Sequence, residues 1–215
     1  VERVAVIVPC HNNAAYVGAA LASIQAQTVA PAEIVVVDDG SIDASRTIVR
    51  GVDGVRLLAQ PNRGAAAARN AGVAATTAPL LAFLDADDLW PVDSLALRLA
   101  VLGTAGLAYG GIVQCDGEAR PVGPPLAGRL AGALLVRRSV FERVGPFDEM
   151  LRTAETVDWV ARAELLGVAM AACAGTVLHR RIHGGNLMLR TRRPDRDALA
   201  VLRRAVERRR AEARP

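Results

Sequence analysis

The chain has 215 residues, 52% of them hydrophobic and 3% aromatic, with a formal net charge of +4. That length gives room for one substantial core, at most with a small appendage, and the composition excludes wholesale disorder. The sequence contains no lysine, which excludes a Walker-type phosphate lysine, a Schiff-base lysine for pyridoxal phosphate and a lysine base, whereas arginine suits bidentate contacts with phosphate or carboxylate.

In chain order, Val4–Val8 reads as a buried first strand ending at Pro9, and Ala14–Gln27 as a helix with Val17, Leu21 and Ile24 on one face and Asn12 or Asn13 as its N-cap. A second apolar strand, Glu33–Val37, runs into Asp38-Asp39-Gly40-Ser41. A helix over Asp43–Arg50, a strand over Val55–Ala59, the turn-rich Gln60–Gly64 and an alanine-rich helix over Ala65–Ala75 follow. Leu80–Leu84 then drives into Asp85, Asp87 and Asp88. Beyond it we expect a helix over Pro91–Val101, strands over Leu107–Gln114 and Gly132–Val136, and short and longer helices over Ser139–Val144 and Ala154–Leu166. Strands near Val168–Ala171 and Thr176–Arg180 and a helix over Asp195–Arg214 complete the chain. Strands alternating with helices predict a mostly parallel sheet with right-handed crossovers. The loops Pro9–Asn13, Asp38–Ser41 and Asp85–Asp88 should therefore converge on one edge of the sheet, where a ligand binds.

Cys10, Cys115 and Cys173 stand far apart and form no C-x-x-C pair, so they predict neither a disulfide framework nor a zinc site, and a reducing cytoplasm is the simpler setting. The first residues lack the basic flank and length of a signal peptide, and no run reaches the length of a membrane span, so a soluble chain is expected.

Two readings of the acidic strand end stand side by side. Massed carboxylates repel unless a cation lies between them, and hard oxygen ligands suit magnesium or manganese carrying a phosphorylated ligand. Alternatively, Asp87 or Asp88 caps a helix beginning near Trp90. No G-x-G-x-x-G follows the first strand and no G-x-S-x-G occurs, which disfavours a dinucleotide site and a nucleophile elbow. His179 and His183 stand four apart, but without the glutamate of a zinc hydrolase. The remaining polar groups favour a nucleoside diphosphate. Asp39 can accept from a base N–H or a ribose hydroxyl, Arg69 can pair with phosphate, and Asp87 can hold the bridging ion.

The ordered segments V-A-V-I-V-P-C-H-N (Val4–Asn12), V-V-V-D-D-G-S (Val35–Ser41), N-R-G-A-A-A-A-R-N-A-G (Asn62–Gly72) and F-L-D-A-D-D (Phe83–Asp88) resemble the family-2 glycosyltransferases of GT-A fold, over essentially the first ninety residues. The resemblance implies a Rossmann-like α/β three-layer sandwich with a mixed, mostly parallel central sheet. It implies one domain over 1–215: a nucleotide-sugar half to residue 90, an acceptor half and closing loop over 91–190, and the arginine-rich helix at 195–215. It further implies a UDP- or dTDP-sugar donor and a divalent cation, Mn2+ or Mg2+. Pro9 and His11 would line the nucleoside, with His11 replacing the usual tyrosine. Asp39 would meet the base, Arg69 the diphosphate, Asp85 the ribose or sugar and Asp87 the metal, with Asp38 structural beside Asp39.

G-P-F-D-E (Gly145–Glu149) is similar to the family's acceptor-side loop, and A-E-T-V-D-W (Ala154–Trp159) resembles the motif whose aspartate is the general base of an inverting transfer. Thr156 occupies that position and cannot act as a base at neutral pH. Glu155 or Asp158 is then the candidate base, or the enzyme is weak or inactive. Asp158 has an alternative partner in Arg162 at i+4. R-R-I-H-G-G-N-L (Arg180–Leu187) resembles a loop that closes over the donor: His183 would complete the metal shell or touch the diphosphate with help from Arg181, and Gly184 and Gly185 would let it move. A merely solvated histidine is the other reading. The terminal helix reads as a solvated face, a contact for a second subunit in a homodimer, or a peripheral membrane contact. Three classes follow: a metal-dependent transferase moving sugar to a saccharide or other hydroxyl acceptor; a nucleotide-sugar-binding module without transfer; and an anion- or nucleic-acid-binding protein. The last is disfavoured because no aromatic stacking surface is evident, so no nucleic acid partner is expected.

Overall fold

The computed structural model describes residues 2–183. Gly184 and Gly185 of the expected closing loop, and the expected terminal helix, lie outside the described residues. In chain order the elements are β1 (Val4–Cys10), α1 (Val17–Gln25), β2 (Glu33–Asp39), α2 (Ser45–Arg50), β3 (Val55–Gln60), α3 (Ala65–Ala74), β4 (Leu80–Phe83), α4 (Ser94–Leu102), β5 (Leu107–Cys115), β6 (Leu126–Ala127), β7 (Leu134–Arg137), α5 (Arg138–Val144), α6 (Glu155–Leu165) and β8 (Met170–Arg181).

One mixed sheet carries them all. β3, β2, β1 and β4 run parallel side by side, β7 joins β4 antiparallel, and β5 follows on β7. β8 lies parallel along the opposite edge of β5, and β6 makes a short antiparallel pair with Gly111 and Ile112. All seven residues of β1 are buried, as a central strand covered on both faces requires. Its side chains alternate between two cores. Val4, Val6, Val8 and Cys10 pack with Leu21 and Ile24 of α1 and Leu95 of α4. Ala5 and Ile7 pack with Ala66 and Val73 of α3, Phe83, Phe141, Phe147 and Trp159. This is the three-layer α/β arrangement the sequence predicts. α3 reaches the sheet at Gly72, where a Cβ would stand 2.3 Å from the Ile7 Cγ2.

Four expectations need correction. α1 begins at Val17, and neither Asn12 nor Asn13 caps it. Asn12, with φ +52°, accepts a bond from the Ile42 N–H, and the backbone N–H of Asn13 donates to the Ser45 hydroxyl, so both fasten the β1–α1 loop to the β2–α2 loop. α4 begins at Ser94, with Asp93 at its N-cap position, so Asp87 and Asp88 do not cap it. The expected strand at Gly132–Val136 begins only at Leu134, after a 3-10 turn over Ala131–Ala133. The two strands expected near Val168–Ala171 and Thr176–Arg180 are one strand, β8, whose register against β5 shifts at Gly111. Glycines absorb the irregularity without breaking the strand: a Cβ at Gly110 would lie 2.5 Å from the Cys173 sulfur, and one at Gly175 2.6 Å from Leu97.

Candidate active site

Because β1, β2 and β4 are parallel and in register, with Cys10 opposite Asp38 and Ile7 opposite Phe83, their carboxyl ends open on one edge. β1 lies between β2 and β4 there, the position at which the direction of winding reverses and open α/β sheets take ligands. Pro9 is buried within β1 at that end.

Asp39 ends β2 and is 4% exposed. Its Oδ1 accepts from the Gln60 amide (2.7 Å) and the Arg63 N–H (2.9 Å), and its Oδ2 from the Gly64 N–H (2.8 Å). A carboxylate has about four acceptor places, so Oδ2 keeps one for a ligand donor. His11 Nδ1 lies 2.9 Å from the Asp39 carbonyl oxygen. A carbonyl only accepts, so Nδ1 carries the proton and Nε2 is the acceptor for the amides of Asn12 and Asn62, each at 3.1 Å. Asp38 is turned away: Arg46 and the Ser41 N–H bind it, and although burial works against the charge, these bonds hold its carboxyl below the usual range.

The β4 end carries the acidic group. β8 is drawn to it because Leu89 and His179 exchange both backbone bonds, and the Arg181 N–H donates to Asp88 Oδ1 at 2.9 Å. The strand thereby delivers His183, whose Nε2 is 3.1 Å from Asp87 Oδ2. The Tyr16 ring packs against the histidine, tilted by 32° with ring centroids 4.4 Å apart, and the Arg181 guanidinium sits 5.2 Å from the tyrosine ring. His179 and His183 come from a strand and its end, so the helix-face spacing does not apply. Burial, then the charge of Asp85, raises the Asp87 carboxyl; burial, Asp85 and Asp87 raise Asp88 well above its ordinary value.

These residues fit a divalent ion. Two adjacent ligands of an octahedral ion with bonds of about 2.1 Å stand about 3 Å apart, close to the 3.1 Å between Asp87 Oδ2 and His183 Nε2. A shared proton gives the same separation. Among the described residues no three histidine, cysteine or carboxylate side chains gather as a metal cluster, and Mg2+-type sites need only one or two protein carboxylates when a phosphorylated ligand supplies the rest.

Arg69 is 3% exposed on α3. Its two terminal nitrogens reach Asp85 Oδ1 and Glu155 Oε1, both at 2.5 Å, and its Nε is buried without a hydrogen-bond partner. Burial opposes its charge, but Asp85 and Glu155 raise its pKa further, so it is cationic. The arginine expected at the diphosphate thus joins the donor-side carboxylate to the candidate base. Asp158 is bonded to Arg162 at 2.8 Å, the i+4 partner anticipated above. Thr156 is buried, its hydroxyl 3.5 Å from Glu155 Oε1. Beside this cluster lies a groove of about 510 Å³ between Asn70, the 146–149 turn, and Asp158 and Arg162; none of Asp39, Arg69, Asp85 or Asp87 lines it. Sequence reasoning assigned no role to Tyr16, Gln60 or Asn62, and placed Glu149 only within the acceptor-side loop that Gly145–Glu149 resembles. The Gln-Pro-Asn-Arg-Gly segment reads as a turn leading into the motif that begins at Asn62, with no role assigned to Gln60 or Asn62, although polar side chains that grip a neighbouring strand end were its available signal.

Carboxylates ranged along the ends of parallel strands at a winding reversal define an α/β protein with an acidic edge at its topological switch point, where open sheets of this class take ligands. Within that class, residues 5–155 match glycosyl transferase family 2, and the chain belongs to that family. An uncharacterized glycosyltransferase of Nostoc sp. is 31% identical over 221 residues, covering 86% of this chain and 66% of that protein. The Escherichia coli UDP-Glc:alpha-D-GlcNAc-diphosphoundecaprenol beta-1,3-glucosyltransferase WfgD is 32% identical over 102 residues, 46% of this chain and 40% of that protein. The S. aureus TarS 1-349 structure in complex with UDP-GlcNAc superposes with a TM-score of 0.80 at 20% identity, over 95% of this chain and 65% of that one. That last likeness is one of fold, the GT-A architecture the sequence resemblance implies. The chain spans less than two thirds of the length of each of these relatives.

Proposed function

We propose that the chain transfers a sugar from a UDP- or dTDP-sugar to an acceptor hydroxyl, with inversion and with Mn2+ or Mg2+ held by Asp87 and His183. The observation that carries this reading is the convergence of those two side chains at the strand end of Asp85, on the sheet edge where Asp39 is fixed. The name of the E. coli relative and the UDP-GlcNAc complex of TarS support a uridine donor.

Asp39 would offer its remaining Oδ2 place to a base N–H, with the His11 ring and Pro9 alongside, and Asp85 would meet the ribose or sugar while Arg69 steadies it. When bound, the ion neutralises charge on the departing diphosphate. The acceptor oxygen attacks the anomeric carbon, the bond to the diphosphate oxygen breaks with its electron pair, and the acceptor proton passes to a carboxylate, Glu155 or Asp158. Each already engages one of its oxygens with an arginine, Glu155 with Arg69 and Asp158 with Arg162, and would meet the acceptor while so held. That engagement favours a second reading, a nucleotide-sugar-binding domain with little transfer. No helix of the described residues is long and apolar enough to cross a membrane; a cytoplasmic site of action, and a homodimer or membrane contact through the terminal helix, belong to this proposal.

Release of UDP from UDP-GlcNAc and UDP-glucose with Mn2+, by wild type and Thr156→Asp, separates the readings. Measurable wild-type turnover supports the transferase. Turnover only in the variant, raised about a hundredfold or more as a restored general base can give, supports the binding domain. Neither protein binding nor cleaving either sugar nucleotide contradicts both.

A further inference from the structure

The turn that walls the groove is held by side chains, carbonyl after carbonyl. Arg162 donates to the carbonyls of Val144 and Pro146 and the Trp159 indole to that of Gly145, so α6 carries these three. Phe147 is held from the other half of the molecule. Its N–H donates to Asn70 Oδ1 at 3.0 Å, and its carbonyl accepts from Asn70 Nδ2 at 3.0 Å. The same Nδ2 reaches Glu149 Oε1 at 3.1 Å. Glu149 in turn binds Arg63, whose backbone N–H holds Asp39.

A primary amide carries a donor and an acceptor together, so Asn70 can pair both backbone groups of one residue as a neighbouring strand would. Phe147 is 2% exposed, and its ring lies 5.8 Å below the Arg69 guanidinium and 5.4 Å from Phe83 at the end of β4. It also contacts Trp159 of α6. A displaced Phe147 would therefore carry Arg69 and the start of α6 with it. Successive residues of α3 divide the work: Arg69 ties Asp85 to Glu155, and Asn70 ties the wall.

We propose that Asn70 is a positioning residue that sets the 145–149 wall, and with it Glu155 at the start of α6, at a fixed spacing from the donor-side carboxylates. This rests on the transferase reading for its consequence in turnover, but not for the structural tie itself. Asn70→Asp is nearly isosteric and still accepts from the Phe147 N–H. It sets a bare carboxylate against the Phe147 carbonyl and Glu149, which have no proton to offer. Adding Glu149→Gln supplies an amide that donates to it.

The test joins calorimetry with UDP and Mn2+, hydrolysis of UDP-GlcNAc, and amide hydrogen exchange, on wild type, Asn70→Asp and Asn70→Asp/Glu149→Gln. For Asn70→Asp, kcat is expected to fall roughly tenfold while KM and the UDP Kd stay within about twofold, a split that marks lost positioning rather than lost donor binding. Exchange at 147–149 and at the first turn of α6 should quicken, and the second substitution should recover part of both effects. UDP affinity falling in step with kcat, unaltered exchange at the start of α6, or no recovery in the double variant would each overturn the proposal. If wild type neither binds UDP nor hydrolyses the sugar nucleotide, the functional reading fails by itself, and exchange at the start of α6 still decides whether Asn70 sets its position.

Discussion

Asp38 and Asp39 show how neighbours on one strand divide their duties. Strand alternation sends them to opposite faces; Asp39 is wrapped by the loop that starts α3, while Asp38 is bound by Arg46 and the Ser41 N–H. The Asp38 carboxyl is held below its usual value of 3.8, so folding favours its ionised form. Its contribution is fully present above the unfolded value and is lost as pH falls through the folded one. Asp38→Asn should therefore cost about 1–3 kcal/mol at neutral pH, the usual range for hydrogen bonds made to a charged group. Thermal or urea unfolding across pH should show the difference between the two proteins shrinking as pH falls below 3.8; a difference that grows as the solution is acidified would contradict the assignment. The identity of these carboxylates was readable in the sequence. What binds them was not, because Gln60, Arg63 and Gly64 stand 21, 24 and 25 residues beyond Asp39 and meet it only through the fold.

At the scale of elements, α3 links the two halves, and its approach to β1 depends on Gly72. A methyl group there would stand 2.3 Å from Ile7 Cγ2 in the middle of a buried strand. Gly72→Ala should destabilise by about 1–3 kcal/mol through overpacking, lowering the midpoint of thermal unfolding by several degrees; an unchanged midpoint would show that α3 is not held this tightly. The parallel elements were legible because each apolar run ends in polar loop residues and alternates with a helical pattern. β7 was legible as a strand but not as the antiparallel member between β4 and β5, since direction is set by connections rather than composition. β8 was split in two because its Gly175 looks like a break, yet that glycine accommodates a bulge against Gly110 and Gly111.

For the whole molecule, the sheet edge gathers a fixed acceptor at Asp39, a carboxylate and imidazole at Asp87 and His183, and a buried cation at Arg69 between Asp85 and Glu155. The motif order in the first ninety residues exposed this edge; the ties that hold the 145–149 wall and the contact of Tyr16 with His183 emerged only from packing. If Asp87 and His183 hold an ion against a diphosphate, nucleotide and ion must strengthen one another's binding. Titration of UDP into the wild-type chain and Asp87→Asn, each with and without Mn2+, measures that coupling. Mn2+ is expected to tighten UDP binding to wild type roughly tenfold or more, about 1.4 kcal/mol, and to do nothing for Asp87→Asn. UDP binding that is indifferent to Mn2+ in wild type, or a Mn2+ effect that survives loss of the Asp87 carboxylate, would contradict the metal-assisted donor site.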